Sequence, residues 1–137
     1  MLHEKLKHLD VKEVDLPDTV FISHIENKVF QSIVAKSLSH IEGIAPLEIN
    51  IIQSFLGWDN HDGLKGIHVE QEEKTHSVKL RIEVNLVFGF SIPQKSEEIQ
   101  NKVAQDVSQL TGLHVSLVHV IFKDMVRNRE DDPLKDL

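Results

Sequence analysis

Cysteine and tyrosine are both missing from this chain of 137 residues. Without a thiol there is no disulfide, no thiolate nucleophile and no Cys-ligated zinc or iron–sulfur site, and a reducing compartment is compatible without being required. A large part of enzyme chemistry closes with that absence. Only four Pro and six Gly are present, too few for a collagen-like or low-complexity chain. No apolar run approaches the ~18 residues of a membrane span, and Glu4, Lys5 and Lys7 interrupt the first ten residues where a signal peptide needs a greasy stretch. An intracellular, soluble protein is the expectation. Basic charge is short as well: 15 Lys plus Arg stand against 22 Asp plus Glu, a formal net charge of −7, which opposes close approach to a phosphate backbone. No nucleic-acid partner is expected. Also missing are the nucleophile elbow G-x-S-x-G, the P-loop and the dinucleotide fingerprint G-x-G-x-x-G.

What remains is ordinary globular composition, 40% hydrophobic and 27% charged, of a length that suits one domain. Residues 1–17 read as an N-terminal extension, in which Leu2, Leu6 and Leu9 could line one or two helical turns before Pro17. That stripe is short and its lysines are offset by Glu4 and Asp10, so direct membrane insertion is not expected. Residues 124–137 read as a charged C-terminal tail, leaving 18–123 as the domain.

Within it, Thr19-Val20-Phe21-Ile22 predicts a short strand. Ser23 and Glu26 then match a capping box, and two rows, Ile25, Val29, Ile33 and Phe30, Val34, Leu38, place an apolar stripe on a helix that Ile41 continues and Gly43 ends. Residues 47–56 carry Ile49, Ile52, Phe55 and Leu56 at helical spacing, which predicts a second, shorter helix. The clearest element is a hairpin. Ile67 and Val69 alternate with His68, Glu70 and Glu72, and then Val78, Leu80, Ile82, Val84, Leu86 and Phe88 alternate with Lys79, Arg81, Glu83 and Asn85. Ser91 with Gln94 repeats the capping spacing around Pro93, opening a helix striped by Ile99, Val103, Val107 and Leu110 that ends at Gly112. The expected fold is α+β, a small mixed β-sheet with helices packed on one face, in the order β-α-α-β-β-α-β.

The last strand, residues 115–122, breaks the alternation rule, because strict period two puts Val115, Leu117 and Ile121 on one face and Val118, Val120 and Phe122 on the other. Few residues are left over to cover a second apolar face. Self-association or a protein partner is therefore expected there, with Val118, Val120 and Phe122 as interface candidates, joined by Trp58, the one large aromatic in a predicted loop. Packing of Trp58 onto its own core is the blander alternative.

Nine histidines raise the question of a metal. No pair sits at i, i+4 on a predicted helix, and Asp59, His61 and Asp62, with His68 and His76 nearby, are what a solvated turn uses anyway. No metal site, cofactor or catalytic residue is assigned. Gly63-Leu64-Lys65-Gly66 matches a G-x-x-G nucleic-acid clamp, but such a loop needs a following helix and the residues after Gly66 alternate as a strand.

Three stretches carry a resemblance: Ile41-Glu42-Gly43-Ile44; Gly89-Phe90-Ser91-Ile92-Pro93; and Glu98-Ile99-Gln100-Asn101-Lys102-Val103 leading to Leu110-Thr111-Gly112-Leu113. Over residues 20–126 the chain resembles the alkaline shock, or envelope stress response, family of bacteria. Ala45-Pro46-Leu47-Glu48 stands where that family has a glycine-rich stretch. The resemblance implies a non-enzymatic cytoplasmic protein, peripheral at the inner face of the membrane in some members, that assembles with itself and with a protein partner such as a membrane anchor. An alternative function is a regulatory binding module controlling a metabolic enzyme such as one of fatty-acid synthesis. A third, a metal-dependent enzyme, predicts stoichiometric metal after dialysis.

Overall fold

The computed structural model describes residues 15–47 and 65–128. Its centre is the strand with the cleanest alternation. In β3 (Ser77–Val87), the inward set Val78, Leu80, Ile82, Val84 and Leu86 is buried, while Lys79 and Arg81 are exposed. Five apolar side chains on one face of one strand supply the surface on which the other elements collect. β2 (Ile67–Glu72) pairs with it antiparallel, Ile67 opposite Ile82 and Glu72 opposite Ser77, as the hairpin reading expects. A two-residue strand, β1 (Ile44–Ala45), continues along the same side of β3, opposite Leu86 and Asn85. β4 (His114–Val126) runs parallel to β3 on its other side. The sheet is thus mixed, and the α+β reading with helices on one face holds.

Both helices lie on the inward face. α1 (Asn27–Ser39) buries Phe30, Val34 and Ser37, and α2 (Ile92–Thr111) buries Lys95, Ile99, Val103 and Val107. These apolar side chains form one cluster with Ile41, Ile67, Val78, Leu80, Ile82 and Val84. A hydrogen bond ties the helices together: Ser37 Oγ donates to Asp106 Oδ2 at 2.6 Å, and Lys102 Nζ sits 3.3 Å from the same carboxylate. The Ser37 bond is the largest cause holding the Asp106 carboxyl below its ordinary value; burial opposes it, and Lys102 and His40 assist.

α2 keeps the boundaries its sequence announces. Ser91 Oγ accepts from the Gln94 N–H at 3.5 Å, and Gly112 at φ +75° forms the left-handed C-cap, donating its N–H to Ser108 O. Leu110, expected in the stripe, is 72% exposed, because the buried cluster closes at Val107. α1 departs further. Its N-cap is Glu26, with no side-chain cap bond, so the Ser23 capping box does not form. The helix stops at Ser39 rather than Gly43, and the chain turns through Gly43 at φ +88° into β1.

Two other expectations are corrected. Thr19-Val20-Phe21-Ile22 forms no strand; residues 15–26 carry no regular structure, and Val20, Phe21 and Ile22 are 76%, 89% and 87% exposed. A strand needs a partner ladder, and no described strand lies against this segment. Phe88 is likewise outside β3, which ends at Val87, and is 59% exposed in the turn to Gly89. The helix expected over 47–56, the Asp59, His61 and Asp62 cluster, and Trp58 lie outside the described residues.

Candidate functional site

The stretches that carry the family resemblance meet in space. The ring of Phe90 packs against Gly43 so closely that a Cβ there would lie 2.6 Å from the ring. Lys95 Nζ stands 4.9 Å from the centroid of the same ring and 2.9 Å from Glu98 Oε2. A mostly buried lysine is tolerable because the aromatic face and the carboxylate replace its water. Gly43 O then accepts from Val87 N–H at 2.8 Å, locking the turn to the end of β3. This cluster is architecture: each polar group in it is matched by a neighbour, and none is turned toward an open cavity.

Around Gly66, β2 begins where the alternation predicts it, and Gly66 O accepts from Glu83 N–H at 2.7 Å. No helix follows Gly66. His68 Nε2 lies 3.9 Å from Glu83 Oε2 on the outer face of the sheet, and His76 lies in the β2–β3 turn. Among the described residues no three His, Cys, Asp or Glu side chains converge as a metal site would need. The outer face alternates charge, Glu70 opposite Lys79 and His68 opposite Arg81, as a solvated sheet face does. An apolar groove of about 160 Å³ lies between α1 and the sheet, lined by Leu38, Ile44, Ile67 and Val84. It runs out at Leu47 and Lys65, where the described chain breaks, and no ligand chemistry is assigned to it.

β4 is the unusual element. Its register against β3 slips twice, between Val78/Lys79 and between Val84/Asn85, so a residue is inserted near Ser116 and another near Lys123. The first insertion reverses the parity expected from the sequence. Val115 stands opposite Val78 and is partly buried against the core, rather than sharing a face with Leu117 and Ile121. Val118, Val120 and Phe122 stand opposite Leu80, Ile82 and Val84, so these three interface candidates turn their side chains to the helix side, where they are partly buried. Leu117, 49% exposed, faces outward with His119 and Ile121.

The backbone of those three residues does the opposite. Because Glu83 N–H bonds to Gly66, the odd-numbered residues of β3 from 77 to 83 aim at β2, and Leu80, Ile82 and Val84 aim at β4. In a parallel ladder the residue opposite an aimed one turns its own N–H and C=O away. Val118, Val120 and Phe122 therefore present theirs on the free side of β4. Gln100 Nε2, from α2, reaches Val118 O at 3.4 Å, and Asp124 Oδ1 accepts from Met125 N–H at 2.8 Å. Among the described residues nothing reaches Val120 or Phe122 on that side.

The other border of the sheet is better protected. Ile67 O and Val69 O, the outward carbonyls of β2, receive Gln31 Nε2 at 2.9 Å and Asn27 Nδ2 at 3.5 Å from α1. Protection of an edge by side chains or charges is the usual way a sheet avoids pairing with another chain. Among the described residues β4 has little of it. From Leu113 to Phe122 the sequence carries no Asp, Glu, Lys or Arg. That uncharged run was the available sequence signal for this site, and period-two reasoning about faces overlooks it.

Two helices over one face of a mixed sheet, with one border capped by Asn27 and Gln31 and the other uncovered at Val120 and Phe122 among the described residues, define an α+β protein. A family model matches residues 15–127, and the chain belongs to that family, the alkaline shock protein 23 family, of cell envelope-related function. The match includes all three stretches that carry the resemblance. No curated protein matches the chain. Two solved structures are similar: Era in complex with MgGDPNP and a segment of 16S ribosomal RNA, at 14% identity and a TM-score of 0.41, and an Aquifex aeolicus Era variant bound to GDP.AlF4-, at 16% and 0.40. Each likeness covers 96% of this chain but only 43% of the other, and at these scores neither bears on function. Among the described residues no helix is long and apolar enough to cross a membrane.

Proposed function

We propose that this envelope-related protein is non-catalytic and acts by self-association and by holding a protein partner near the inner face of the cytoplasmic membrane. The observation that carries the reading is the border of β4, where, among the described residues, nothing reaches the main-chain donors and acceptors of Val120 and Phe122 beside their half-covered apolar side chains. An unpaired, uncharged strand edge is a template for another strand. Attachment to the membrane through a partner agrees with a chain that carries net charge −7, which anionic lipid repels.

Light scattering across a range of protein concentration tests the first half. The expected mass exceeds the 15.6 kDa of one chain and rises with concentration. A mass fixed at one chain under all conditions overturns the self-association reading.

A further inference from the structure

We propose that the outer face of the sheet holds a site for an acidic peptide segment, at the row His68, Arg81 and His119 with Lys79 beside it. This rests on the partner half of the reading above and names the partner's chemistry, on a surface separate from the β4 edge.

Register brings the row together. Arg81 of β3 stands opposite His68 of β2 on one side and opposite His119 of β4 on the other, so three basic side chains cross three strands at spacings of about 5 Å. Lys79 lies two residues from Arg81 on the same face, and Lys79, Arg81 and His119 are all exposed. An open depression of about 280 Å³ lies over them, lined also by Glu70 and Leu117.

In a chain of net charge −7 this row is a local inversion of sign. Elsewhere cations are matched, Lys95 by Glu98 and Lys102 by Asp106. Among the described residues neither Lys79 nor Arg81 is in an ion pair. Glu83, two residues from Arg81, is 19% exposed and turned to His68 at 3.9 Å, and the alternation of Glu70 with Lys79 does not extend to the row itself.

The lining selects the class of ligand. Its cations are exposed rather than enclosed, so a lone inorganic anion keeps its water and gains little. A peptide segment sets several carboxylates over the row at once and lays an apolar side chain on Leu117, which is 49% exposed. A nucleic acid extends its charge far beyond the row, over a surface whose net sign repels it.

The two histidines make the site sensitive to pH. Around His68 stand Arg81, Lys79, Glu70 and Glu83; around His119 stand Arg81 and Lys79, with the uncharged Leu117 and Ile121 along its own strand. Histidine gains its charge between about pH 8 and about pH 5, so falling pH adds positive charge over the depression. By linkage, an acidic segment that binds there draws protons onto His68 and His119.

The test uses the full chain and a hexa-aspartate peptide, followed through the backbone amide resonances. Expected are shifts centred on His68, Lys79, Arg81 and His119, with affinity roughly fivefold higher at about pH 6 than at about pH 7.5. Arg81→Gln, at an exposed position where a thermal melt verifies the fold, should weaken binding roughly fivefold at both pH values. Combining His68→Gln with His119→Gln should abolish the gain at low pH, which separates the row from the general loss of negative charge as pH approaches the sequence pI of 5.7. No binding to the natural chain, shifts centred elsewhere, or a pH gain that survives the double variant overturns the inference. A single-stranded RNA oligomer that binds the same amides more tightly than the peptide overturns it too. The mass read by light scattering is a separate observable, so failure here leaves self-association standing and failure there leaves this site standing.

Discussion

Single residues in this protein divide into those that hold the shape and those that leave it open. Gly43 belongs to the first group twice over, since it combines φ +88° with a Phe90 ring 2.6 Å from where a Cβ would stand. Gly112 has a similar φ of +75° but nothing within 4 Å of its Cβ position. Gly112→Ala should therefore cost only the left-handed strain, roughly 1–2 kcal/mol. Gly43→Ala should cost more, because Phe90 must leave its place and take Lys95 and Glu98 with it; denaturant midpoints of the two variants measure the difference. Ser37 and Asp106 predict a pH dependence. The folded state holds the Asp106 carboxyl below its ordinary value, chiefly through the Ser37 hydroxyl, so the stabilisation is complete above the unfolded pKa and is lost as pH falls through the folded one. Ser37→Ala should raise the Asp106 pKa and flatten the acid limb of stability against pH, read by the Asp106 side-chain carbon resonance and by melts across the acid range.

Elements were legible where a local signal and a tertiary partner agreed. α2 has both its cap and its stripe, and β3 alternates without a break, so each stands where the sequence puts it. The serine caps make this testable. Ser91→Ala should destabilise by about 0.5–1 kcal/mol, at the low end for a cap because its bond to Gln94 is 3.5 Å long. Ser23→Ala should change nothing, since α1 begins at Asn27 under Glu26 and the same S-x-x-E spacing there forms no cap. A comparable loss in both would contradict the observed start of α1. Thr19-Val20-Phe21-Ile22 shows the other limit: strand propensity is only a preference for pairing, and pairing depends on a free ladder that the sequence does not reveal. β4 shows a third. Its insertions near Ser116 and Lys123 are invisible to period-two counting, yet they decide that Val115 faces the core. Val118, Val120 and Phe122, expected as interface candidates by their side chains, turn those side chains inward and their main chain outward.

At the scale of the whole molecule, the protein is lopsided. One face of the sheet is shielded by two helices and one border by Asn27 and Gln31, while among the described residues β4 forms the opposite border with a single reach from Gln100. On the proposed reading, the working surface of this envelope-related protein is the main chain of β4. Backbone hydrogen exchange, followed amide by amide from dilute to concentrated protein, tests this most directly. Leu117, His119 and Ile121, bonded to β3, should be protected throughout, whereas Val120 and Phe122 should exchange fast when dilute and slow markedly as concentration rises. Unchanging fast exchange at Val120 and Phe122 up to the highest concentration, or equal protection of both sets in dilute protein, would contradict an edge that works by taking on another strand.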